Sequence, residues 1–316
     1  MIIETLDDAL LQEVLFDSLN IGFPLQGRKW LSLLETDDDV GFLIRKDLKL
    51  PREVLGFSFS SNRFGLRGPC DPTSGTAIFG TSYAMGFSVD DGENWYDGLF
   101  SRGAMNCGLP VGFREFAVLF DRHHTGPCET AIFLYHPNVW AHVSYYVGWR
   151  LSGKTVFEHL RWDTSLTGAL DRSRQVVTVL RGTAAGRPVV AEISGEHWLL
   201  NPTYGKFDLE GGRADYEAGI ASLLGVLTRF ERVLVFRIPT KEELAAPHLD
   251  HATLTALKAN HLAGWDYFKS AVVSQLPNCT IDEGEDFTLD DHHRCDTHWN
   301  RAGNAKMRDL LIGHGF

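Results

Sequence analysis

The stretch Thr76-Ala77-Ile78-Phe79-Gly80-Thr81-Ser82 is an apolar run that ends in a glycine and two hydroxyl side chains. Such a run is typical of a buried strand, and the glycine indicates a tight turn after it. Open α/β sheets bind their ligands at the carboxyl ends of their strands, where helix starts leave unpaired N–H groups. The pattern therefore predicts that Ser82 presents its hydroxyl at this edge, and Ser82 is the candidate nucleophile.

A second polar motif, Cys295-Asp296-Thr297-His298-Trp299-Asn300, precedes a helix-like segment. A serine nucleophile needs a base that takes the hydroxyl proton and an acid that holds the base in one tautomer. His298 is the predicted base and Asp296 the predicted acid. Donors for an oxyanion are also needed, and the segments 106–110 and 135–138 are candidates because each follows or ends an apolar run.

Strand and helix patterns alternate through much of the chain. Apolar runs predict strands at 131–135 and 233–236. Apolar residues at helical spacing predict helices at 95–100, 113–120, 216–230, 254–268 and 301–311. Such alternation specifies an α/β fold with a parallel sheet and right-handed crossovers.

Two segments depart from the alternation. Residues 1–54 are predicted to form an N-terminal helical lead-in packed on the core, because apolar residues recur at helical spacing at 10–15 and 30–34. Residues 55–316 are predicted to form one α/β domain. Within it, residues 141–212 are predicted to be a β-rich insertion.

The predicted insertion contains two β-rich runs, 176–180 and 188–193. The residues between them, 181–187, have the composition of a hairpin turn region. We expect a β-hairpin or lid here, because insertions on such scaffolds commonly shape access to a site.

The order of these motifs resembles the SGNH (GDSL-type) hydrolase superfamily over about residues 55–140 and 230–316. The resemblance implies a three-layer α/β/α sandwich with a central parallel sheet of the flavodoxin-like kind. The four residues that name the family are here Ser82, Gly108, Asn138 and His298. By the same resemblance, the Ser82 and Gly108 N–H groups and the Asn138 amide form the oxyanion hole. The segment Asp296-Thr297-His298-Trp299 most resembles the SGNH domains of alginate-type polysaccharide O-acetyltransferases.

The sequence departs from the common family pattern at two positions. Thr81 stands where the family usually has an aspartate, so this position carries no charge. The family's acid usually lies three residues before the histidine, where this chain has Cys295. Asp296 lies two residues before His298, as in the acetyltransferase branch.

Other interpretations of the site residues stay open at this stage. Asp296 also suits the N-cap of the helix at 301–311, and Asn138 suits a loop after Pro137. Gly108 suits a place where backbone crowding is relieved. Trp299, next to the predicted base, is a candidate for contact with substrate.

Histidine and cysteine patterns predict neither a metal nor a cofactor. The pairs His123-His124 and His292-His293 lack the repeated ligand spacing of metal sites. Together with Asp290 and Asp291, the second pair is predicted to form a polar loop over the site. Five widely spaced cysteines indicate neither a disulfide framework nor a zinc knuckle.

Composition limits the class of partner. A formal net charge of −11 argues against nucleic acid, because binding there depends on basic side chains. The start of the sequence lacks the pattern of a signal peptide, and no apolar run approaches the length of a membrane span. We therefore expect a cytoplasmic protein that does not bind membranes, and the sequence indicates no oligomeric state.

The resemblance implies a serine esterase that cleaves an acyl ester, an acetyl ester foremost, on a carbohydrate or similar small substrate through an acyl-enzyme. Two alternatives stay open. One is an O-acetyltransferase of polysaccharide biosynthesis, and the other is a catalytically inactive relative that binds carbohydrate.

Overall fold

The computed structural model describes residues 1–3, 10, 33–100, 103–155 and 188–316. Its strands are β1 (Ile2–Ile3), β2 (Leu34–Asp37), β3 (Gly41–Ile44), β4 (Lys49–Leu50), β5 (Phe59–Ser60), β6 (Thr76–Gly80), β7 (Met105–Asn106), β8 (Thr130–Tyr135), β9 (Val189–Ile193), β10 (Glu196–Leu200), β11 (Arg232–Arg237) and β12 (Cys279–Asp282). Its α-helices are α1 (Arg52–Leu55), α2 (Phe113–His123), α3 (Val139–Ser152), α4 (Leu209–Leu227), α5 (Lys241–Ala245), α6 (Ala252–Gln275) and α7 (Arg301–Gly313).

The central sheet contains five parallel strands in the order β12-β11-β8-β6-β7. The first of these strands in the chain, β6, therefore lies between the second and the third. The strand order therefore reverses between β6 and β8, and open α/β sheets bind their ligands beyond the carboxyl ends of the strands at such a point. The predicted α/β class with a parallel sheet is confirmed.

Alternate side chains of the central strands enter two separate cores, because successive residues of a strand point to opposite faces. One core includes the helices α2, α4 and α6 and, from the sheet, Ala77, Phe79, Ala131, Phe133, Val233 and Val235. The other includes α7 and, from the sheet, Ile78, Ile132, Leu134, Leu234 and Phe236. Apolar cover on both faces is compatible with an α/β sandwich.

The described part of the predicted N-terminal lead-in, residues 33–54, packs on the core as predicted, but it is mainly extended, so its helical character is wrong there. Leu34 begins β2, which pairs with β3 as an antiparallel hairpin. The Asp37 carboxylate accepts hydrogen bonds from the N–H groups of Asp39 and Val40, both at 3.0 Å, and so fixes the turn. The helix predicted at 10–15 lies outside the described residues except for Leu10.

The β-rich insertion predicted at 141–212 is only partly correct. Residues 141–152 continue α3, because Val139, Trp140, Val143, Tyr146 and Trp149 recur at helical spacing and are buried. The strand predicted at 188–193 exists as β9. Its partners are β10 and β1, both antiparallel. The run 176–180 and the turn region 181–187 lie outside the described residues.

The helix predicted at 95–100 is also wrong, since residues 82–99 form successive turns. Gly86, Gly92 and Gly98 each have a positive φ, which interrupts helical geometry. The other predicted helices and strands are present as α2, α4, α6, α7, β8 and β11. Within the described ranges, no helix is both long and apolar enough to cross a bilayer.

Candidate active site

Ser82 lies two residues beyond the end of β6, in a tight turn. Gly80 ends the strand with a φ of 144°, and a Cβ atom there would lie 2.7 Å from the carbonyl oxygen of Leu134. A side chain at this position would therefore collide with β8. After Ser82 the chain turns back, since the Phe87 N–H donates to the Ser82 carbonyl at 3.1 Å. The hydroxyl thus stands at the carboxyl edge of the sheet, although Ser82 is only 7% exposed.

The residues 296–298 reach the same edge from the other end of the chain. The Asp296 carboxylate accepts a hydrogen bond from the His298 N–H at 2.8 Å, which fixes the local turn. The Tyr83 hydroxyl, next to the candidate nucleophile, donates to the Thr297 carbonyl. The two segments are thereby joined directly.

The three predicted triad residues form a hydrogen-bonded chain in which His298 contacts both Ser82 and Asp296. Ser82 Oγ is 2.6 Å from His298 Nε2, and His298 Nδ1 is 2.5 Å from Asp296 Oδ1. Because a carboxylate only accepts, the Nδ1 atom of His298 carries the proton. Nε2 is then unprotonated and accepts from the Ser82 hydroxyl. This is the geometry of a serine activated by a histidine base.

Asp296 is held in its charged form. Burial alone would raise the pKa of this carboxyl, but electrostatic attraction to the imidazoles of His298 and His293, together with hydrogen bonds from His298, lowers it to about 2. The other interpretation of Asp296, as the N-cap of α7, is wrong. Asn300 caps this helix, since its side chain accepts from the N–H groups of Ala302 and Gly303.

The predicted oxyanion donor Gly108 is not free in the structure. Its N–H donates to the side chain of Asn106 at 2.8 Å, and the Asn106 amide nitrogen donates to the Ala84 carbonyl at 2.9 Å. A Cβ atom at Gly108 would lie 2.6 Å from the Met85 nitrogen. Gly108 therefore permits close packing against the turn that carries Ser82, while its N–H faces Asn106 instead of a substrate.

The Ser82 N–H, by contrast, has no acceptor among the residues that the structure describes. Asn138 stands at the start of α3, three residues beyond β8, which is the strand that pairs with β6. Gly80 pairs with Leu134 across β6 and β8, so Ser82 and His136 are each two residues beyond this pair. Asn138 makes no capping hydrogen bond with its side chain. Although Asn138 is the N-cap residue of α3, its side chain does not cap the helix, and its role as an oxyanion donor stays a prediction.

Two further residues, Ser88 and His293, lie beside the Asp296–His298 pair. Ser88 Oγ lies 3.4 Å from both Asp296 Oδ1 and His298 Nδ1, and Ser88 is buried in a left-handed conformation, with a φ of 74°. The His293 ring donates from Nε2 to the Ser88 carbonyl at 3.1 Å. Non-glycine residues in this conformation cluster at functional sites. A serine within an ordinary loop sequence gives no warning of this geometry.

Trp299 is not placed to contact a substrate, contrary to our prediction. It is 1% exposed, and its ring stacks on Phe287 with centroids 4.7 Å apart. It also meets the Tyr83 ring edge to face at 5.0 Å. The partly exposed aromatic residue beside the base is Phe87, whose ring centroid is 5.0 Å from that of His298.

The loop rich in histidine and aspartate is mainly engaged in structural contacts. Asp291 accepts from the Thr288 N–H and forms an ion pair with Lys306, and His292 contacts the Thr288 carbonyl. In the described parts of the chain, no three His, Cys, Asp or Glu side chains are grouped so that they could hold a metal ion. Cys107 is fully buried, and burial raises the pKa of its thiol, which does not favour a nucleophilic thiolate.

The chain matches no model of a protein family, and no curated protein or solved structure is similar enough to it to count as a match.

Proposed function

We propose that the protein is a serine esterase of the SGNH type that cleaves an acyl ester, an acetyl ester foremost, on a carbohydrate or similar small molecule. The observation that carries this proposal is the hydrogen-bonded chain from Ser82 through His298 to Asp296, with contacts of 2.6 and 2.5 Å. The order of the five sheet strands, which resembles the flavodoxin-like arrangement, also supports it.

In the first half of the proposed reaction, Ser82 Oγ attacks the ester carbonyl carbon while its proton passes to His298 Nε2. Asp296 stabilises the imidazolium that results. The Ser82 N–H and the Asn138 amide are the proposed donors to the oxyanion. When the tetrahedral intermediate collapses, the alcohol leaves with the proton from His298, and the acyl group remains on Ser82.

In the second half, a hydroxyl compound attacks the acyl-enzyme, and its proton passes to His298. The ester bond to Ser82 then breaks, and Ser82 recovers the proton. If the acceptor is water, the reaction is hydrolysis. If it is a sugar hydroxyl, the reaction is O-acetyl transfer, the second candidate function, which the Asp296-Thr297-His298-Trp299 segment favours.

The test is turnover of p-nitrophenyl acetate by the wild-type protein and by Ser82→Ala. Removal of a nucleophile in such a triad costs about 10⁴-fold or more in rate. Ser270→Ala is a matched control, because this serine is exposed and, among the described residues, its hydroxyl donates only to the Asp266 carbonyl of its own helix. Equal rates for wild type and Ser82→Ala, or no turnover by either, would contradict the proposal.

Addition of a soluble oligosaccharide separates the two candidate functions. Hydrolysis releases acetate with or without the sugar. Transfer yields acetylated oligosaccharide at the expense of acetate, which mass spectrometry of the sugar detects.

A further inference from the structure

Tyr204 reaches the candidate site from a part of the chain that the sequence does not connect with catalysis. It lies in the loop between β10 and α4, near the end of the segment predicted as an insertion. Its hydroxyl accepts a hydrogen bond from the Asn138 amide nitrogen at 3.1 Å. Its ring centroid lies 5.7 Å from that of His136.

The Asn138 side chain is held at both of its polar atoms. Its oxygen faces His136 Nδ1 at 2.8 Å, and its nitrogen faces the Tyr204 hydroxyl. An amide nitrogen carries two hydrogen atoms, so one remains for another acceptor. Because the Gly108 N–H is occupied by Asn106, the orientation of this remaining N–H matters more here than it would in a site with three donors.

The loop that carries Tyr204 is itself held firmly. The Tyr204 carbonyl accepts from His261 Nε2 at 2.7 Å, and His261 Nδ1 lies 3.0 Å from the Glu243 carboxylate. Glu243 also forms a buried ion pair with Arg237. The loop around Tyr204 is therefore anchored to the end of β11 and to α5 and α6.

The next residue, Gly205, brings the loop into direct contact with Asn138. A Cβ atom at Gly205 would lie 3.0 Å from the backbone nitrogen of Asn138, and the φ of Gly205 is 66°.

Burial raises the pKa of the Tyr204 phenol, while hydrogen bonding from Thr297 and Asn138 acts in the opposite direction. The phenol therefore stays protonated. Its hydroxyl contacts both Asn138 and Thr297, and so it links Asn138 with the segment that carries His298.

We infer that Tyr204 is a positioning residue of the oxyanion hole, which orients the Asn138 amide so that its second N–H faces the developing oxyanion. The inference rests on the proposed function. Tyr204 does not contact the reacting atoms in this scheme, and it acts only through Asn138. The segment after β10 then supplies a positioning residue to the active site.

The test is a double-mutant cycle with p-nitrophenyl acetate. Tyr204→Phe keeps the ring but removes the hydrogen-bond acceptor, and we expect kcat to fall by roughly 10-fold with little change in KM, because the amide is then less well oriented. Asn138→Ala should lower kcat by about 10²-fold or more. In the Asn138→Ala background, Tyr204→Phe should cause no further loss.

A merely structural role would give a different pattern, because Tyr204→Phe would then lower kcat as much in the Asn138→Ala background as in the wild-type protein. That pattern, or wild-type kcat in Tyr204→Phe, would overturn the inference. Tyr267→Phe is a matched control, since within the described part of the chain the hydroxyl of Tyr267 donates only to Glu217, at 3.3 Å on the surface. If only the inference about Tyr204 is wrong, turnover still depends on Ser82. If the proposed function is wrong, turnover that depends on Ser82 is absent.

Discussion

Ser82 Oγ lies 2.6 Å from His298 Nε2, although the two residues are 216 positions apart in the sequence. Each arrives from a different element, Ser82 from the turn after β6 and His298 from the segment before α7. Proton transfer between these two atoms requires no movement of the backbone. Their contact is the physical basis of the proposed acyl transfer.

Removal of either Ser82 or His298 should abolish the catalytic effect of the whole triad. We expect His298→Ala to lower kcat about as far as Ser82→Ala does, by about 10⁴-fold or more, because neither group promotes attack without the other. The double variant should be no slower than either single variant. Steady-state kinetics with p-nitrophenyl acetate checks this, and multiplicative losses would show that the two residues act independently.

The charge of Asp296 should make the protein sensitive to acid. Its pKa of about 2 in the folded protein lies below the ordinary 3.8, so its contribution to stability is present above pH 3.8 and is lost as the pH falls towards 2. The shift corresponds to about 2 kcal/mol. The difference in free energy of unfolding between wild type and Asp296→Asn should therefore shrink by about this amount between pH 5 and pH 2.

Urea titrations followed by circular dichroism at a series of pH values measure this difference. A difference that does not change with pH would mean that the Asp296 carboxylate gains nothing from His298 in the folded state.

Gly108 should tolerate no side chain. In Gly108→Ala the new Cβ atom would lie 2.6 Å from the Met85 nitrogen and 2.7 Å from the Ala84 carbonyl carbon, and backbone atoms cannot move aside cheaply. We expect a loss of about 2 kcal/mol or more in the free energy of unfolding, together with lower activity. Gly225→Ala, in the helix α4 with open space around it, is the matched control and should be neutral or more stable by up to about 1 kcal/mol. A Gly108→Ala protein with wild-type stability would contradict the packing role.

Replacement of Ser88 by glycine should strain the backbone at this position less than replacement by alanine. Both substitutions remove the hydroxyl beside Asp296 and His298, but only glycine adopts a φ of 74° without cost. We expect Ser88→Gly to be more stable than Ser88→Ala by about 1 kcal/mol in urea unfolding. Equal stability, or a more stable alanine variant, would show that the backbone at this position is not strained.

The central strands and most helices could be predicted because their residues carry a periodic pattern that burial enforces. The run 76–80 is apolar at both of its faces, as a strand covered on both sides must be. The positions of Ser82, Asp296 and His298 could also be predicted, since strand ends and turns have recognisable residues. Their mutual distances could not, because they depend on how the sheet and α7 pack.

Other features could not be predicted from the local sequence. Leu33 and Leu34 fit a helical spacing by coincidence, and the hairpin with Phe42, Leu43 and Ile44 prevails because it buries all three. The Gly108 N–H is engaged because the side chain of Asn106, two residues earlier, accepts its hydrogen bond. Tyr204 approaches Asn138 only through the tertiary fold, and no motif surrounds it in the sequence.

Covalent labelling with a serine-directed fluorophosphonate, followed by peptide mapping in the mass spectrometer, tests directly whether Ser82 is the nucleophile. We expect one adduct per chain, on Ser82, and no adduct in Ser82→Ala. An adduct on any other residue, or an equal yield in Ser82→Ala, would contradict the claim that Ser82 is the nucleophile.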